Sequence, residues 1–163
     1  MYIKNGVMGM KKASIMDDEF YLGLAGKLAA RNKMRLAIPI ASVIADSDGI
    51  IGIGENRRIN DNSMVEHAEI VAIEDGGRES ITRLQNATLY TTLAPCLMCT
   101  GAITLFSIPR VVIGDNKTFA GYVDILHDHG VEVIVMPQPK LTDLLATYID
   151  KFPDVWAEDN GGQ

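Results

Sequence analysis

The chain has 163 residues, 47% of them hydrophobic and 22% charged, which fits one domain, residues 1–163, with a full core and excludes a disordered or low-complexity chain. Its formal net charge of −6 argues against a generic nucleic-acid binder, because such affinity comes largely from Lys and Arg on phosphates. No apolar run reaches the ~18 residues of a membrane helix, Met1 to Met10 lacks the apolar stretch of a signal peptide, and only two cysteines are present, so a cytoplasmic, reducing setting is expected.

Met16 to Asn32 reads as an amphipathic helix, with Asp17 and Asp18 in its first turn and Arg31 in its last, where each complements the helix dipole. Ile38 to Ala45 and Ile50 to Ile53 are β-branched and apolar, and the turn signal DSDG between them makes a hairpin. Ser63 and Glu66 form an S-x-x-E capping box that predicts a helix from about Met64, ended by Gly76-Gly77. Ala87 to Thr92 is a strand, Cys96 to about Ser107 a helix, and Val111 to Gly114 a strand. A short helix follows over Ala120 to His129, then a strand over Val131 to Met136, a helix over Lys140 to Lys151, and a last short helix from Pro153. After the hairpin, strands and helices alternate, which implies a mainly parallel sheet with helices on both faces, a three-layer α/β domain. The basic pairs Lys11-Lys12 and Arg57-Arg58 read as solvated surface.

Both cysteines fall in one turn, Ala94-Pro95-Cys96-Leu97-Met98-Cys99. Two thiols three residues apart at a helix start can meet one ion, and the helix N-terminus favours their anionic form. Pro95 fixes the angle of entry. A structural zinc site closes with four protein ligands, whereas a catalytic one uses three and keeps a place for water. His67 is the third ligand that the sequence offers, and no fourth stands out: His127 and His129, beside Asp128, read as surface groups near a helix end. Cys96, Cys99, His67 and a water therefore form the expected centre. Glu69, two residues after His67, is the carboxylate expected to carry protons there. In a helix interior, residues two apart point about 200° apart, so both reach one site only from a helix N-terminus. The His67 turn and the Cys96 turn are then predicted to face each other. The pattern H-x-E followed by P-C-x-x-C is the signature of zinc nucleobase deaminases.

These motifs, with GENRR, the stretch Ala87 to Asn116 and the tail Tyr148 to Asp159, make the chain resemble the cytidine-deaminase-like zinc superfamily, and within it the fungal-type cytosine deaminases. The resemblance implies a five-stranded mixed sheet in an α/β/α sandwich, with the hairpin antiparallel and the later strands parallel. It implies one zinc per chain on His67, Cys96 and Cys99, and Glu69 as proton carrier. Asn56 matches the residue that holds the ring, Phe119, Trp156 and Asp159 match residues that close and line the pocket, and the backbone near Ala94 and the amide of Ala68 help fix the substrate. It further implies a small heterocyclic amine as substrate, cytosine by default, and a homodimer formed through the cysteine helix and the strand after it, Leu105 to Gly114. The departures are H-A-E for H-G-E, Ala94 for serine, Leu97 for an acidic residue, and Ile59 and Ala157 for two pocket aromatics, which would reshape the pocket. Guanine or another amino-heterocycle is therefore an alternative substrate. A tRNA adenosine deaminase is a second alternative, and a non-catalytic zinc module a third.

Overall fold

In the computed structural model, which describes residues 15–161, the hairpin of β1 (Ala41–Asp46) and β2 (Gly49–Glu55) opens a five-stranded sheet. β3 (Thr88–Thr91), β4 (Arg110–Ile113) and β5 (Glu132–Val135) complete it in the order β2-β1-β3-β4-β5. β1 pairs antiparallel with both β2 and β3, and β3, β4 and β5 run parallel, so the sheet is mixed as expected. Alternate residues serve opposite layers, because strand side chains alternate between faces. Val43, Tyr90 and Val112 pack under α1 (Ile15–Met34), and Leu144 of α6 (Pro139–Lys151) joins them. Ile44, Leu89 and Val111 pack on the other face with Ala72 of α2 (Ala68–Gly76) and Leu84 of α3 (Ile81–Leu84). Ile103 of α4 (Leu97–Leu105) and Leu126 of α5 (Val123–Asp128) complete that layer.

A third apolar cluster sits at one end of the sheet. Ile38, Ile40, Ala68 and Leu93 meet Leu145 and Tyr148 of α6, and Val155 and Trp156 of α7 (Pro153–Asp159) pack against them. This cluster folds the C-terminal helices over the N-termini of α2 and α4.

Several element boundaries differ from the sequence expectation. β1 begins at Ala41 rather than Ile38, because Pro39 has no N–H to give a ladder and the Ile40 amide turns back onto the Ile38 carbonyl at 2.8 Å. α2 begins at Ala68 rather than Met64: the Ser63 hydroxyl does accept from the Val65 and Glu66 amides, both at 3.2 Å, but this closes only a turn. His67 then stays extended, with φ −67° and ψ 158°. α5 is shorter than Ala120 to His129, since Gly121 turns at φ 69° before it. A 3₁₀ turn over Arg78–Ser80 and α3 went unpredicted, being short and without a clear apolar period. In Leu105 to Gly114, Ile108 and Val111 to Ile113 are wholly buried in the core, so of the proposed pairing face only its start is open, Leu105 being 75% exposed. Arg58, expected as solvated surface, is buried; the Lys11-Lys12 pair lies outside the described residues.

Two glycines set how α2 sits. A Cβ on Gly54 would overlap the Ala68 carbonyl oxygen, and one on Gly52 would overlap that of Ala72. α2 therefore rests directly on β2 main chain, where no side chain fits. Gly54→Ala is expected to push the first turn of α2 off the sheet and carry His67 and Glu69 with it. Overpacking of this kind costs about 1–3 kcal/mol. The urea midpoint and the zinc content of the purified variant measure it, and an unchanged zinc stoichiometry with wild-type stability would show that the helix is not so seated.

Candidate metal centre and active site

The residues at the two helix starts are built alike. His67 is the N-cap of α2 and Cys96 the N-cap of α4, each extended at ψ 158° and 174°. The His67 ring makes no capping bond to its own helix, and Cys96 Sγ is bonded to Cys99 one turn on, so the two side chains turn to a common space. Their helices open toward the same end of the sheet, and the predicted facing of the two turns is what the structure has. One donor atom each from His67, Cys96 and Cys99 lies within 4.8 Å of the others. His67 Nδ1 is 3.4 Å from Cys96 Sγ. Zinc–sulfur and zinc–nitrogen bonds of about 2.3 and 2.0–2.1 Å at tetrahedral angles put such donors about 3.5 Å apart, so the residues present fit zinc without rearrangement. The other ring nitrogen, Nε2, lies 3.5 Å from Asp159 Oδ1, the kind of carboxylate that orients ligating imidazoles.

Electrostatics favour an anionic ligand set. The Cys96 thiol is brought down to about 4, first by the hydrogen bond with Cys99, against burial, and then by His67. Cys99 is pushed up in return, by that same bond, by burial and by Glu69. Burial alone would lower the His67 imidazole, but the Cys96, Asp159 and Glu69 charges outweigh it and raise it. Glu69 is pushed up chiefly by burial, then by the Cys96 charge, with His67 opposing.

The cavity beside these groups is lined by Asn56, His67, Glu69, Ala94, Cys96, Phe119, Trp156 and Asp159, together with Ile40, Leu93 and Asn160. Eight expected residues thus converge on one space, while Ala68 and Cys99 are buried behind it. Asn56 is fixed in orientation: its Nδ2 donates to Asp159 Oδ1 at 3.0 Å and its Oδ1 accepts from the Arg58 amide at 3.1 Å. One N–H and one lone pair remain for a ligand. The Ala94 amide is already given to the Asp115 carbonyl at 2.9 Å, which leaves the Ala94 carbonyl for use. The Ala68 amide stands in the first turn of α2, where amides lack an intrahelical acceptor.

Ile59 and Ala157, which stand for two pocket aromatics, and Leu97 all lie outside the cavity lining. All three face solvent, Ile59 at 44% and Leu97 at 54% exposure, and none lines the cavity. Of the five departures only Ala94 lines it. Asn160 was missed, although it falls one helical turn beyond Trp156, a spacing that could have flagged it. His127 and His129 are exposed on and just after α5, and His129 Nδ1 donates to the Ile125 carbonyl at 2.8 Å.

Arg58 was also missed. It is 7% exposed, with Nη1 3.2 Å from Asp159 and Nη2 2.9 Å from Glu158, so one guanidinium ties α7 down over the cavity. Arg58→Ala would leave Asp159 buried with its charge uncompensated, and loss of one partner of such a pair costs about 3–5 kcal/mol. A fall of that size in unfolding free energy is the expected result by urea titration; a change below about 0.5 kcal/mol would show the tie to be idle.

Residues 15–115 match the family model described as the cytidine and deoxycytidylate deaminase zinc-binding region. The chain is 40% identical to a cytosine deaminase of Candida albicans over 146 residues, 89% of this chain and 97% of the relative. It is 38% identical to a tRNA-specific adenosine deaminase of Streptococcus pyogenes over 115 residues, 70% of this chain and 67% of the relative. Among solved structures, a guanine deaminase from Nitrosomonas europaea superposes with a TM-score of 0.69 at 23% identity, covering 80% of this chain and 83% of that one, a likeness of fold.

Proposed function

Since the chain belongs to the cytidine and deoxycytidylate deaminase zinc-binding family, and is thereby a zinc-dependent deaminase and a hydrolase of carbon–nitrogen bonds, we propose that it converts free cytosine to uracil and ammonia. The observation that carries this reading is the cavity that gathers Asn56, Glu69 and the His67–Cys96–Cys99 donors around one small space under α7. His67, Cys96 and Cys99 hold the zinc, which when bound makes a hydroxide nucleophile available near neutral pH. Asn56 orients the ring through its remaining N–H and lone pair. Glu69 takes the proton released by the attacking water and delivers it to the ring nitrogen beside the amino-bearing carbon. Glu69 then takes the proton of the new hydroxyl on that carbon and passes it to the amino group, so that the carbonyl forms as the C–N bond breaks and ammonia leaves. Phe119 and Trp156 exclude bulk water from these transfers.

The Candida cytosine deaminase is matched over 97% of its length and 89% of this chain, which supports a free base as substrate. The cavity has free space of about 20 Å³, little more than a water molecule needs. A planar ring therefore enters only as the lining side chains shift. Guanine is the second reading, favoured by Asn160, a further amide on the cavity wall able to meet the extra polar edge of a purine. Ammonia release from cytosine, guanine and adenine, and from tRNA carrying the adenosine, separates these. Release from cytosine at the highest kcat/KM is expected; turnover of guanine or tRNA without cytosine overturns the assignment.

A pairing of two copies, in a cytoplasmic setting that keeps both thiols reduced, belongs to the same reading. Leu97 and Leu105 are exposed on α4, and a groove lined by Ile70, Ile73, Ile81 and Phe106 runs beside it. Light scattering of the eluted peak reads this directly, a single-chain mass being the adverse result.

A further inference from the structure

We propose that Ser42 and Thr91 form a buried hydroxyl relay that positions the Glu69 carboxylate, which makes Thr91 a positioning residue for the reaction; this rests on the role of Glu69 as proton carrier. Ser42 on β1 and Thr91 on β3 are direct cross-strand partners. Both are wholly buried, on the face of the sheet that Ile44 and Leu89 share and that α2 covers. An apolar residue would be expected at either position, because a hydroxyl in such a layer costs free energy unless it is bonded. Here each is. The Ser42 hydroxyl donates to Thr91 Oγ1 at 3.0 Å, and the Thr91 hydroxyl donates to Glu69 Oε1 at 3.1 Å.

A hydroxyl has one proton. Donation from Ser42 occupies one lone pair of Thr91 Oγ1 and commits the Thr91 proton to Glu69. Glu69 is 3% exposed, and its side chain reaches from the first turn of α2 to the sheet. One carboxylate oxygen is thereby held by the sheet, while the carboxyl also meets the Cys99 thiol and borders the cavity. No proton travels along the relay; it selects the rotamer and the oxygen that does the work. A flexible carboxylate would have to be reorganised at each of its two transfers, and the relay removes that step.

Thr91→Val keeps the shape and deletes the donor. A buried hydrogen bond to a charged group sets the scale, so kcat on the most active base of the panel is expected to fall about 10- to 100-fold. KM, zinc content and thermal midpoint should stay near wild type. Thr91→Ser should restore most of the rate, and Ser42→Ala should lower kcat by about 2- to 10-fold. In a Glu69→Gln background, Thr91→Val should cost nothing further, because the two act as a unit. A folded, zinc-loaded Thr91→Val with kcat within twofold of wild type overturns the relay, as does a loss confined to KM, a failed rescue by serine, or an additive loss in the double variant. If Thr91→Val does not fold, Ser42→Ala alone decides, and an unchanged kcat in it is adverse. A fully active Glu69→Gln would instead overturn the role of Glu69 itself, whereas an inactive Glu69→Gln beside an unimpaired Thr91→Val removes only the relay.

Discussion

Glu69→Gln is expected to bind zinc as the wild type does and to lose about 10²- to 10⁴-fold in kcat, the range that a positioned acid–base group contributes. Glutamine keeps the length of the side chain and can still accept from Thr91, so the buried pocket around it, closed by Thr91 and the first turn of α2, has no cause to collapse. What it cannot do is take a proton from the attacking water or return one to the ring. Burial favours the protonated form of Glu69, and the Cys96 charge adds to this, so the carboxyl takes up a proton more readily than a free one would. Metal analysis and ammonia release on the same preparation test this. Retained zinc with near-wild-type turnover would mean that another group moves the protons.

Removal of the metal is the second large effect. Dialysis against a chelator, or Cys99→Ala, is expected to take turnover below detection. Added zinc restores the wild type but not the variant. Cys99 is wholly buried and its thiol is pushed up by Cys96, burial and Glu69. In the metal-free protein it therefore keeps its proton, and His67, also raised, tends to keep one as well. Both must be released for zinc to bind. Zinc binding accordingly weakens as pH falls, since protons compete for the same donors. Cys96, held near 4, contributes least to that competition. Titration with zinc at two pH values reads this as proton release and as a shift in affinity. Equal affinity at both would contradict the assigned ligand set. Stability follows occupancy, because zinc at these three donors binds the folded chain in preference to the unfolded one.

The sheet was legible in the sequence because its signals are local. Alternating apolar runs at Val43–Ile44, Leu89–Tyr90 and Val111–Val112 serve two packed layers, and DSDG marks the one hairpin. The metal donors were legible because cysteines are scarce here and zinc geometry restricts their spacing. The start of α2 was misplaced because Ser63 and Glu66 satisfy a local capping rule, whereas the true start is dictated by His67, which must stay extended to aim its ring at Cys96. A reading by helix geometry already required His67 and Glu69 to lie at an N-terminus, and that requirement, not the capping box, was the sounder guide. Arg58 was missed for a different reason. It acquires its role only when α7 returns across the sheet, so no window of neighbouring residues contains the partner: Arg58 and Asp159 are about a hundred residues apart. Ile59 and Ala157 face solvent, a direction that family likeness at a position along the chain does not carry.

Because α2 lies on bare main chain at Gly52 and Gly54, the height of the imidazole and the acid above the sheet is fixed by two absent methyl groups. Catalyst and roof meet at a single carboxylate: Asp159 of α7 is clasped by Arg58, steadies Asn56 and stands against the His67 ring. Floor and lid are thus coupled, and a substitution that loosens the last helix is felt at the imidazole as well as at the mouth of the cavity.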